Sequence, residues 1–144
     1  RVVAHTEHWT AFVPSAARWP IEVHLYPNQP AARLPDLSEA QRHDFCPVYL
    51  DVLGRLEAAH GPDVPYIAAW QQTPGRADDD LALLHLEISS IRRAPGKVKY
   101  LAGSEAVMGA FINDVVPEDA ARVLRGAVAG RSARTSSPDP AGAG

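Results

Sequence analysis

The chain has 144 residues, of which 46% are hydrophobic and 22% charged, and its formal net charge is −3. This length suits one domain with a buried core. The acidic balance argues against a nucleic-acid binder, which would be basic overall, and no apolar run reaches the roughly 18 residues of a membrane span. The chain opens without a charged and apolar leader, so we expect a cytoplasmic protein whose partners include neither nucleic acid nor a membrane.

Cysteine occurs once, at Cys46. An intrachain disulfide is therefore impossible, and a zinc site built on cysteines would lack its other ligands. We interpret Cys46 as a small buried side chain on a helix rather than as a nucleophile. The chain begins at Arg1, directly in strand-like sequence, and we expect it to be the later portion of a longer protein.

The first part of the chain predicts β-strands in the stretches RVVAH (1–5), HWTAFVP (8–14) and WPIEVHLYP (19–27). In the third stretch, aliphatic residues alternate with polar or aromatic ones, a period of two that is typical of a strand with one buried face. The expected inward positions are Ile21, Val23 and Leu25, and the expected outward positions are Glu22, His24 and Tyr26.

A helix of about five turns is predicted next. It begins at Ser38, which forms a capping-box pattern with Gln41, and it ends at Gly61. Pro47 lies inside this helix, so we expect a kink or a split after the first turns. The expected buried stripe consists of Phe45, Tyr49, Leu53 and Leu56.

Two further strands are predicted in VPYIAAWQQTP (64–74) and LALLHLEISSI (81–91), on either side of the loop GRADDD (75–80). A short strand and a helix from about Ser104 should follow, and then a helix that begins near Pro117. This order predicts an α+β fold with a mostly antiparallel sheet flanked by helices. We expect residues 1–129 to form the domain, and residues 130–144 to be disordered because they have almost nothing to bury.

The basic stretch IRRAPGKVKYLAGSE (91–105) is the first candidate site. Its four basic residues surround a Pro-Gly pair, so a bend would bring cations together from both sides. Such a site would suit an anion like a phosphate, with Tyr100 as an apolar wall. The alternative is an exposed edge strand protected by lysines against aggregation, and composition alone favours it.

The pair His85 and Glu87 is the second candidate, because both project from one face of a strand. An imidazole beside a carboxylate can bind a divalent metal or transfer a proton, or it can be a structural hydrogen-bonded pair. A third ligand would have to come from a neighbouring strand, where Gln71 is the nearest polar residue and a poor ligand. The histidines that show no pairing at metal-ligand spacing are His5, His8, His24, His43 and His60.

Several stretches in one order resemble a single family. They are HWTAFVPSAARWPIEVHLYP, ARLPDLSEAQRHDF, PYIAAWQQTP, LHLEISSIRRAPGKVKYLAGSE and INDVVPEDAARVLR. This series resembles the second half of galactose-1-phosphate uridylyltransferase in its actinobacterial form, and it covers residues 1 to about 127.

The resemblance implies a dimer of chains that each contain two histidine-triad-like halves. Such enzymes exchange UMP between UDP-glucose and galactose-1-phosphate through a uridylylated histidine. That histidine lies in a His-Pro-His-x-Gln motif of the first half, which does not occur here. We therefore expect no catalytic residue in this chain, and we expect the N-terminal half and a second copy as partners.

The resemblance also implies the substrate-binding residues. Lys99 and Tyr100, followed by Ser104 and Glu105, match the family's segment that contacts the hexose and phosphate of the nucleotide sugar, often across the dimer. A carboxylate can accept hydrogen bonds from sugar hydroxyls, and a lysine supplies charge near a phosphate.

Zinc is the metal that the resemblance implies, with its ligands in the missing first half. His85 and Glu87 match a second metal site that is made of histidines in some members. Here Glu87 and Gln71 stand where that set has histidines, so we expect the second site to be weak or empty. Asn28 and Gln29 stand where basic residues are usual, which weakens any phosphate or dimer contact there.

Two other functions stay open. One is a different enzyme of the histidine-triad superfamily, such as a dinucleotide phosphorylase, against which the match of RRAPGKVKYLAGSE argues. The other is a non-catalytic binding or scaffolding remnant that folds but binds no nucleotide sugar.

Overall fold

The computed structural model of the protein describes residues 1–74, 83–94 and 96–127. The strands are β1 (Val2–His5), β2 (Trp9–Phe12), β3 (Ile21–Pro27), β4 (Ile67–Gln71), β5 (His85–Ser90), β6 (Arg92–Ala94) and β7 (Lys97–Val98). The first five form one sheet in the order β1-β2-β3-β5-β4, and β6 and β7 form a separate hairpin. Every neighbouring pair is antiparallel.

Within the described residues, the sheet is accompanied by three α-helices. They are α1 (Glu39–His60), α2 (Gly103–Met108) and α3 (Pro117–Gly126). The predicted α+β fold with an antiparallel sheet and flanking helices is confirmed. None of these helices is both long and apolar enough to cross a membrane.

The hydrophobic core lies between one face of the sheet and the helices α1 and α3. The predicted alternation in β3 is confirmed for its aliphatic residues, which are all buried, and β5 repeats the pattern. Burying an aliphatic side chain of this size stabilises the fold by about 1.5 to 3 kcal/mol. The prediction that Glu22 is exposed on the outward face is wrong, because loop N–H groups bind its carboxylate and leave it 3% exposed. The largest fully buried side chains are Trp9, Val13, Val23, Leu25, Val48, Val52, Leu56, Leu84 and Ile88.

Helix α1 begins as predicted. Ser38 Oγ accepts a hydrogen bond from the backbone N–H of Gln41 at 3.2 Å, and Gln41 Oε1 accepts from the backbone N–H of Ser38 at 2.8 Å. This capping box satisfies two N–H groups that a helix start would otherwise leave without partners. The helix ends before Gly61, whose φ of 97° is a conformation that favours glycine.

The buried stripe of α1 differs from the predicted one. Val48 and Val52 are fully buried together with Leu56, whereas Phe45 and Tyr49 are only partly buried. The two aromatic rings lie at the margin of the core, where they stack on each other at 5.4 Å. The prediction that Cys46 is buried is wrong, because its helical position falls outside this stripe and its side chain is exposed.

Pro47 lies inside α1 without splitting it, so the predicted split is wrong. Proline has no N–H to donate to the carbonyl of His43 four residues earlier. The helix nevertheless continues, because Val48 and Val52, which follow Pro47, are anchored in the core. Tertiary packing here outweighs a local propensity that disfavours the helix.

Several predicted boundaries change. β4 covers Ile67–Gln71 rather than the whole of 64–74, and prolines at both ends of that stretch limit the strand, since proline cannot donate to a strand ladder. α2 and α3 begin within one residue of their predicted starts. The predicted loop at 75–80, the start of the predicted strand at 81–82 and the predicted disordered tail at 130–144 lie outside the described residues.

We expect the substitution Pro47→Ala to stabilise the protein by about 1 to 3 kcal/mol, because it restores the hydrogen bond to His43 and removes a steric clash. Urea denaturation would measure the change in the free energy of unfolding. The control is Cys46→Ala at the neighbouring exposed position, which should change stability by no more than about 0.5 kcal/mol. A destabilised Pro47→Ala variant would contradict the prediction.

Candidate functional site

The cations of the basic stretch are largely paired within the fold. Arg92 Nη2 donates to the carbonyl of Asp63 at 2.8 Å, and Arg93 forms an ion pair with Asp114. Lys97 is exposed on β7. The stretch is therefore not a cluster of free positive charges.

The ammonium of Lys99 is held by three acceptors. Its Nζ lies 2.6 Å from Glu105 Oε1, and it donates to the carbonyl oxygens of Ile112 at 2.6 Å and Arg18 at 3.0 Å. An ammonium has three N–H donors, so these contacts use all of them. The side chains of Lys99 and Glu105 are only 10% and 1% exposed.

Two aromatic rings lie near the same ammonium. Lys99 Nζ is 5.5 Å from the ring centroid of Trp19 and 5.8 Å from that of Phe111. The two rings contact each other edge to face at 5.7 Å. Cation–π attraction within about 6 Å therefore adds to the hydrogen bonds that hold Lys99.

The carboxylate of Glu105 organises the start of α2. Glu105 Oε2 accepts from the backbone N–H of Ala102 at 2.7 Å, and Oε1 accepts from the backbone N–H of Ile112 at 2.9 Å. The bond from Lys99, together with these two backbone bonds, lowers the pKa of Glu105 to about 2, although burial raises it. Glu105 therefore links Lys99 to the backbone on both sides of α2, at Ala102 and at Ile112.

The other two predicted substrate residues are more accessible. Tyr100 is 85% exposed, and Ser104 is half-buried. A cavity of about 360 Å³ brings Lys99, Tyr100 and Glu105 together with Arg93 and Asp114. The two cations and the two carboxylates of these residues have formal charges that cancel, so the cavity has no net charge.

The sheet brings His85 and Glu87 together with His24, a histidine on the neighbouring strand β3. β3 and β5 pair so that His24 lies opposite Glu87. Glu87 Oε1 is 3.3 Å from His85 Nε2 and 3.7 Å from His24 Nε2. His24 has no partner at metal-ligand spacing along the chain, but across the strands it lies beside His85 and Glu87, and the three could hold a metal ion together. We call these three side chains the imidazole–carboxylate cluster.

Hydrogen bonds fix the orientation of His85. Its Nδ1 donates to the carbonyl oxygen of Leu83 at 2.8 Å, and its ring stacks on Tyr26 at a centroid distance of 4.3 Å. A carbonyl can only accept, so Nδ1 carries a hydrogen. Nε2 then has a lone pair on the side of Glu87 in the neutral imidazole, and it donates to Glu87 in the imidazolium. Nε2 and Glu87 Oε1, which lie 3.3 Å apart, can share a proton or a metal ion.

Charged neighbours complete the cluster. Arg18 Nη2 lies 3.3 Å from Glu87 Oε2, so the other carboxylate oxygen faces the imidazoles. Glu22 Oε1 accepts from His24 Nε2 at 3.0 Å. Burial raises the pKa of Glu22, but hydrogen bonds from His24 and from the backbone N–H groups of Arg18 and Trp19 lower it below its ordinary value. Two carboxylates against one guanidinium leave a formal excess of one negative charge.

The cluster could hold a divalent cation, because one ligand atom from each of its three side chains lies within 4.8 Å of the other two. Atoms that share a tetrahedral zinc ion at about 2.0 to 2.1 Å lie roughly 3.3 to 3.4 Å apart, close to the 3.3 and 3.7 Å observed around Glu87 Oε1. The hydrogen bond from His85 to Leu83 is the kind of outer contact that orients a metal-binding imidazole. Gln71 lies opposite His85 on β4, but its side chain is exposed.

Sequence reasoning missed Arg18, Glu22 and His24 as site residues. It also missed Asn113, whose Nδ2 donates to the backbone carbonyl oxygens on either side of that of Arg18. The alternation in β3 already placed Glu22 and His24 on the polar face, so the register of β3 against β5 was the missing information. Arg18 and Asn113 belong to irregular segments, and no periodic pattern points to them.

Comparison with known structures defines the class of fold. The protein resembles a histidine triad nucleotide-binding protein from Sulfolobus tokodaii with a TM-score of 0.59 at 14% identity, covering 88% of this chain and 81% of that one. At such identity the likeness concerns the fold alone. The predicted histidine-triad-like fold is confirmed.

Sequence comparison gives the family. The family model described as "Galactose-1-phosphate uridyl transferase, C-terminal domain" matches residues 1–136, so the chain belongs to the galactose-1-phosphate uridylyltransferase family. The enzyme of that name from Streptomyces lividans is 42% identical over 87% of this chain, and the one from Thermotoga maritima is 36% identical over 87%. A solved uridylyltransferase structure has a TM-score of 0.82 at 34% identity, covering 88% of this chain and 40% of that one.

The match is confined to part of each relative. The chain spans 38% of the Streptomyces protein and 40% of the Thermotoga protein. The family model that it matches describes a C-terminal domain. The predicted resemblance is confirmed at the level of this domain.

We expect acid to destabilise the protein partly through Glu105. A carboxyl whose pKa is lowered by folding stabilises the fold fully above its ordinary pKa of 4.5, and this contribution is lost as the pH falls towards about 2. Thermal denaturation at about pH 5 and about pH 2.5 would measure the loss. The loss of thermal stability between these two pH values should be smaller in Glu105→Gln than in the wild type.

The matched control is Glu57→Gln, at an exposed position of α1. That variant should retain the pH dependence of the wild type. Equal pH dependence in the wild type and Glu105→Gln would show that the pair with Lys99 does not form in solution.

Proposed function

We propose that this chain is the hexose-recognition part of a galactose-1-phosphate uridylyltransferase, which exchanges UMP between UDP-glucose and galactose-1-phosphate. The uridylylated histidine then belongs to the N-terminal part of the enzyme, so the chain alone is inactive. The observation that carries the proposal is the match of residues 1–136 to the family's C-terminal domain. The cavity beside Lys99 and Glu105, within the stretch that the resemblance singles out, supports it.

The chemistry of the cavity favours the sugar ring over the phosphate. Its cations, Arg93 and Lys99, are already paired with Asp114 and Glu105, so little positive charge is left for an anion. Arg93 and Asp114 are about half exposed, so they retain N–H groups and lone pairs that hydroxyl groups, which both donate and accept, can use. The hexose hydroxyls would meet Arg93 and Asp114, with Tyr100 as the wall. Lys99 and Glu105 would hold this segment in place beneath them. The phosphate then needs cations from another part of the enzyme.

The surface around the cavity supports a role in assembly. The apolar side chains of Leu101, Val107, Met108 and Ile112 are all exposed, between 50% and 85%. Several exposed apolar side chains close together in the chain are a feature of interaction sites. We propose that this segment contacts either the N-terminal part of the enzyme or a second subunit, which places Tyr100 and Ser104 at a shared active site.

The imidazole–carboxylate cluster is proposed to hold a divalent cation such as zinc, with His24, His85 and Glu87 as ligands. Such an ion would cross-link β3 and β5 on the polar face of the sheet and more than offset the excess negative charge of the cluster. Binding would displace the proton that His24 Nε2 donates to Glu22. The ion is proposed as structural, because the reacting histidine lies elsewhere.

A reconstitution experiment tests the proposed activity. Release of glucose-1-phosphate from UDP-glucose and galactose-1-phosphate would be measured with this chain alone, and with the N-terminal part of the Streptomyces relative added. We expect turnover only in the mixture. A complex of the two parts without turnover would favour the non-catalytic remnant, and turnover by this chain alone would contradict the proposal because no nucleophile has been identified in it.

In the reconstituted enzyme, we expect Tyr100→Ala to lower kcat/KM about tenfold, a loss of about 1.4 kcal/mol of transition-state stabilisation. The ring is 85% exposed, so its removal should leave the thermal stability of the chain unchanged. Val107→Ala is the control, since Val107 is also 85% exposed on the same segment. An equal loss in both variants would indicate an assembly defect instead of a substrate contact.

We expect the chain to bind one Co²⁺, used as a spectroscopic substitute for zinc, with the visible absorption of a four-coordinate ion. His24→Ala and His85→Ala should each weaken binding at least about tenfold, since each removes a ligand. Titration followed by absorption would measure the affinity. The control His43→Ala removes a histidine on the exposed side of α1 and should leave the affinity unchanged. Equal affinities in all variants would place the ion elsewhere.

A further inference from the structure

The irregular loop of residues 17–19, which precedes β3, is bound by the C-terminal part of the chain. Asn113 Nδ2 donates to the carbonyl oxygens of Ala17 and Trp19, each at 3.0 Å. Lys99 Nζ donates to the carbonyl oxygen between them, that of Arg18, at 3.0 Å. Three successive carbonyl groups of the loop therefore receive side-chain donors from the 99–113 segment.

The N–H groups of the same loop are bound from the opposite side. Glu22 Oε2 accepts from the backbone N–H of Arg18 at 2.6 Å and from that of Trp19 at 3.0 Å. Glu22 is 3% exposed. A backbone whose carbonyl and N–H groups are both held by buried or half-buried side chains has little freedom to move independently of them.

The side chain of Arg18 extends from this loop to the imidazole–carboxylate cluster. Its guanidinium lies 3.3 Å from Glu87 Oε2 and 3.8 Å from Glu22 Oε1. The same guanidinium lies 5.8 Å from the ring centroid of Phe111 in the 99–113 segment. One residue thus contacts the cluster with its side chain and the 99–113 segment with its carbonyl oxygen.

We propose that Arg18 is a positioning residue that couples the two proposed sites, so that the state of the imidazole–carboxylate cluster affects the order of the 99–113 segment. The inference rests on the proposed function, which assigns hexose recognition to that segment and a cation to the cluster. When the cluster holds Glu87 in place, Glu87 holds the guanidinium of Arg18. The loop that contains Arg18 is then positioned so that its carbonyl groups accept hydrogen bonds from Lys99 and Asn113.

The coupling is reciprocal. A change in the 99–113 segment that loosens the loop must alter the cluster by the same free energy, since linkage between two sites acts equally in both directions. Asn113 allows this direction to be examined without a change of charge, because its carboxamide is neutral. Loosening the loop through Asn113 should therefore disturb the cluster through Arg18, and also through Glu22, which binds both the loop and His24.

The first experiment follows amide hydrogen exchange without any metal, in the wild type, Glu87→Ala and Ser89→Ala. We expect Glu87→Ala to accelerate exchange at Gly109, Ala110 and Ile112 by about 3- to 10-fold, while α1 stays unchanged as the internal reference for global stability. Ser89 is on the same face of β5 and should have no effect. Equal exchange of the segment in the two variants would overturn the coupling.

The second experiment measures Co²⁺ affinity and its effect on exchange. We expect Asn113→Ala to weaken Co²⁺ binding about 3- to 10-fold. The matched control is Asn28→Ala, because Asn28 Nδ2 also donates to two carbonyl groups, those of Thr6 and Glu7. This control should leave the Co²⁺ affinity unchanged. Bound Co²⁺ should slow exchange in the segment of the wild type but not of Arg18→Gln, and Arg18→Lys should restore part of the effect.

The outcomes separate the two proposals. Accelerated exchange in Glu87→Ala without any Co²⁺ binding by the wild type would overturn the cation site and support the coupling. Co²⁺ binding with equal affinity in Asn113→Ala and Asn28→Ala would support the cation site and overturn the coupling.

Discussion

The register of β3 against β5 is the constraint on which the rest of the structure depends. It places Val23 opposite Ile88 in the core and His24 opposite Glu87 on the other face. Because side chains alternate along a strand, a slip of one residue would expose every core position and bury every polar one. The buried aliphatic rows therefore fix the alignment of the ionisable groups, and the cluster follows from hydrophobic packing on the opposite face of the sheet.

Most cations of the basic stretch are paired within the fold, so this stretch is not a free anion-binding surface. A lysine buried beside a glutamate loses solvation, and only good hydrogen bonds compensate for the loss. Lys99 and Glu105 meet this condition, because both use their remaining donors and acceptors on backbone groups. Positive charge that looks available in the sequence is thus largely committed to holding the 99–113 segment, which leaves Tyr100 as the most accessible of the predicted residues.

Local chemistry could be predicted from the sequence, and cross-strand chemistry could not. The capping box at Ser38 and the alternation of β3 depend on neighbours within a few residues, so both can be predicted from the sequence. The neighbours with which His24 could share a metal ion depend on which strands pair and in what register. The role of Asn113 depends on a contact that spans more than 90 residues of chain. At Pro47 local chemistry gave the wrong prediction. The tendency of proline to break a helix is outweighed by the burial of Val48 and Val52, which follow it.

The carboxamide of Asn113 also restricts which amino acids this position can accept. Its nitrogen donates twice, to Ala17 and Trp19, and its oxygen accepts from the backbone N–H of Val115 at 3.1 Å. Aspartate has the same size but no donor, leucine has neither donor nor acceptor, and glutamine moves the amide outward by one methylene group. None of these three residues can make all the hydrogen bonds of Asn113, and the sequence alone does not indicate that the position is restricted in this way.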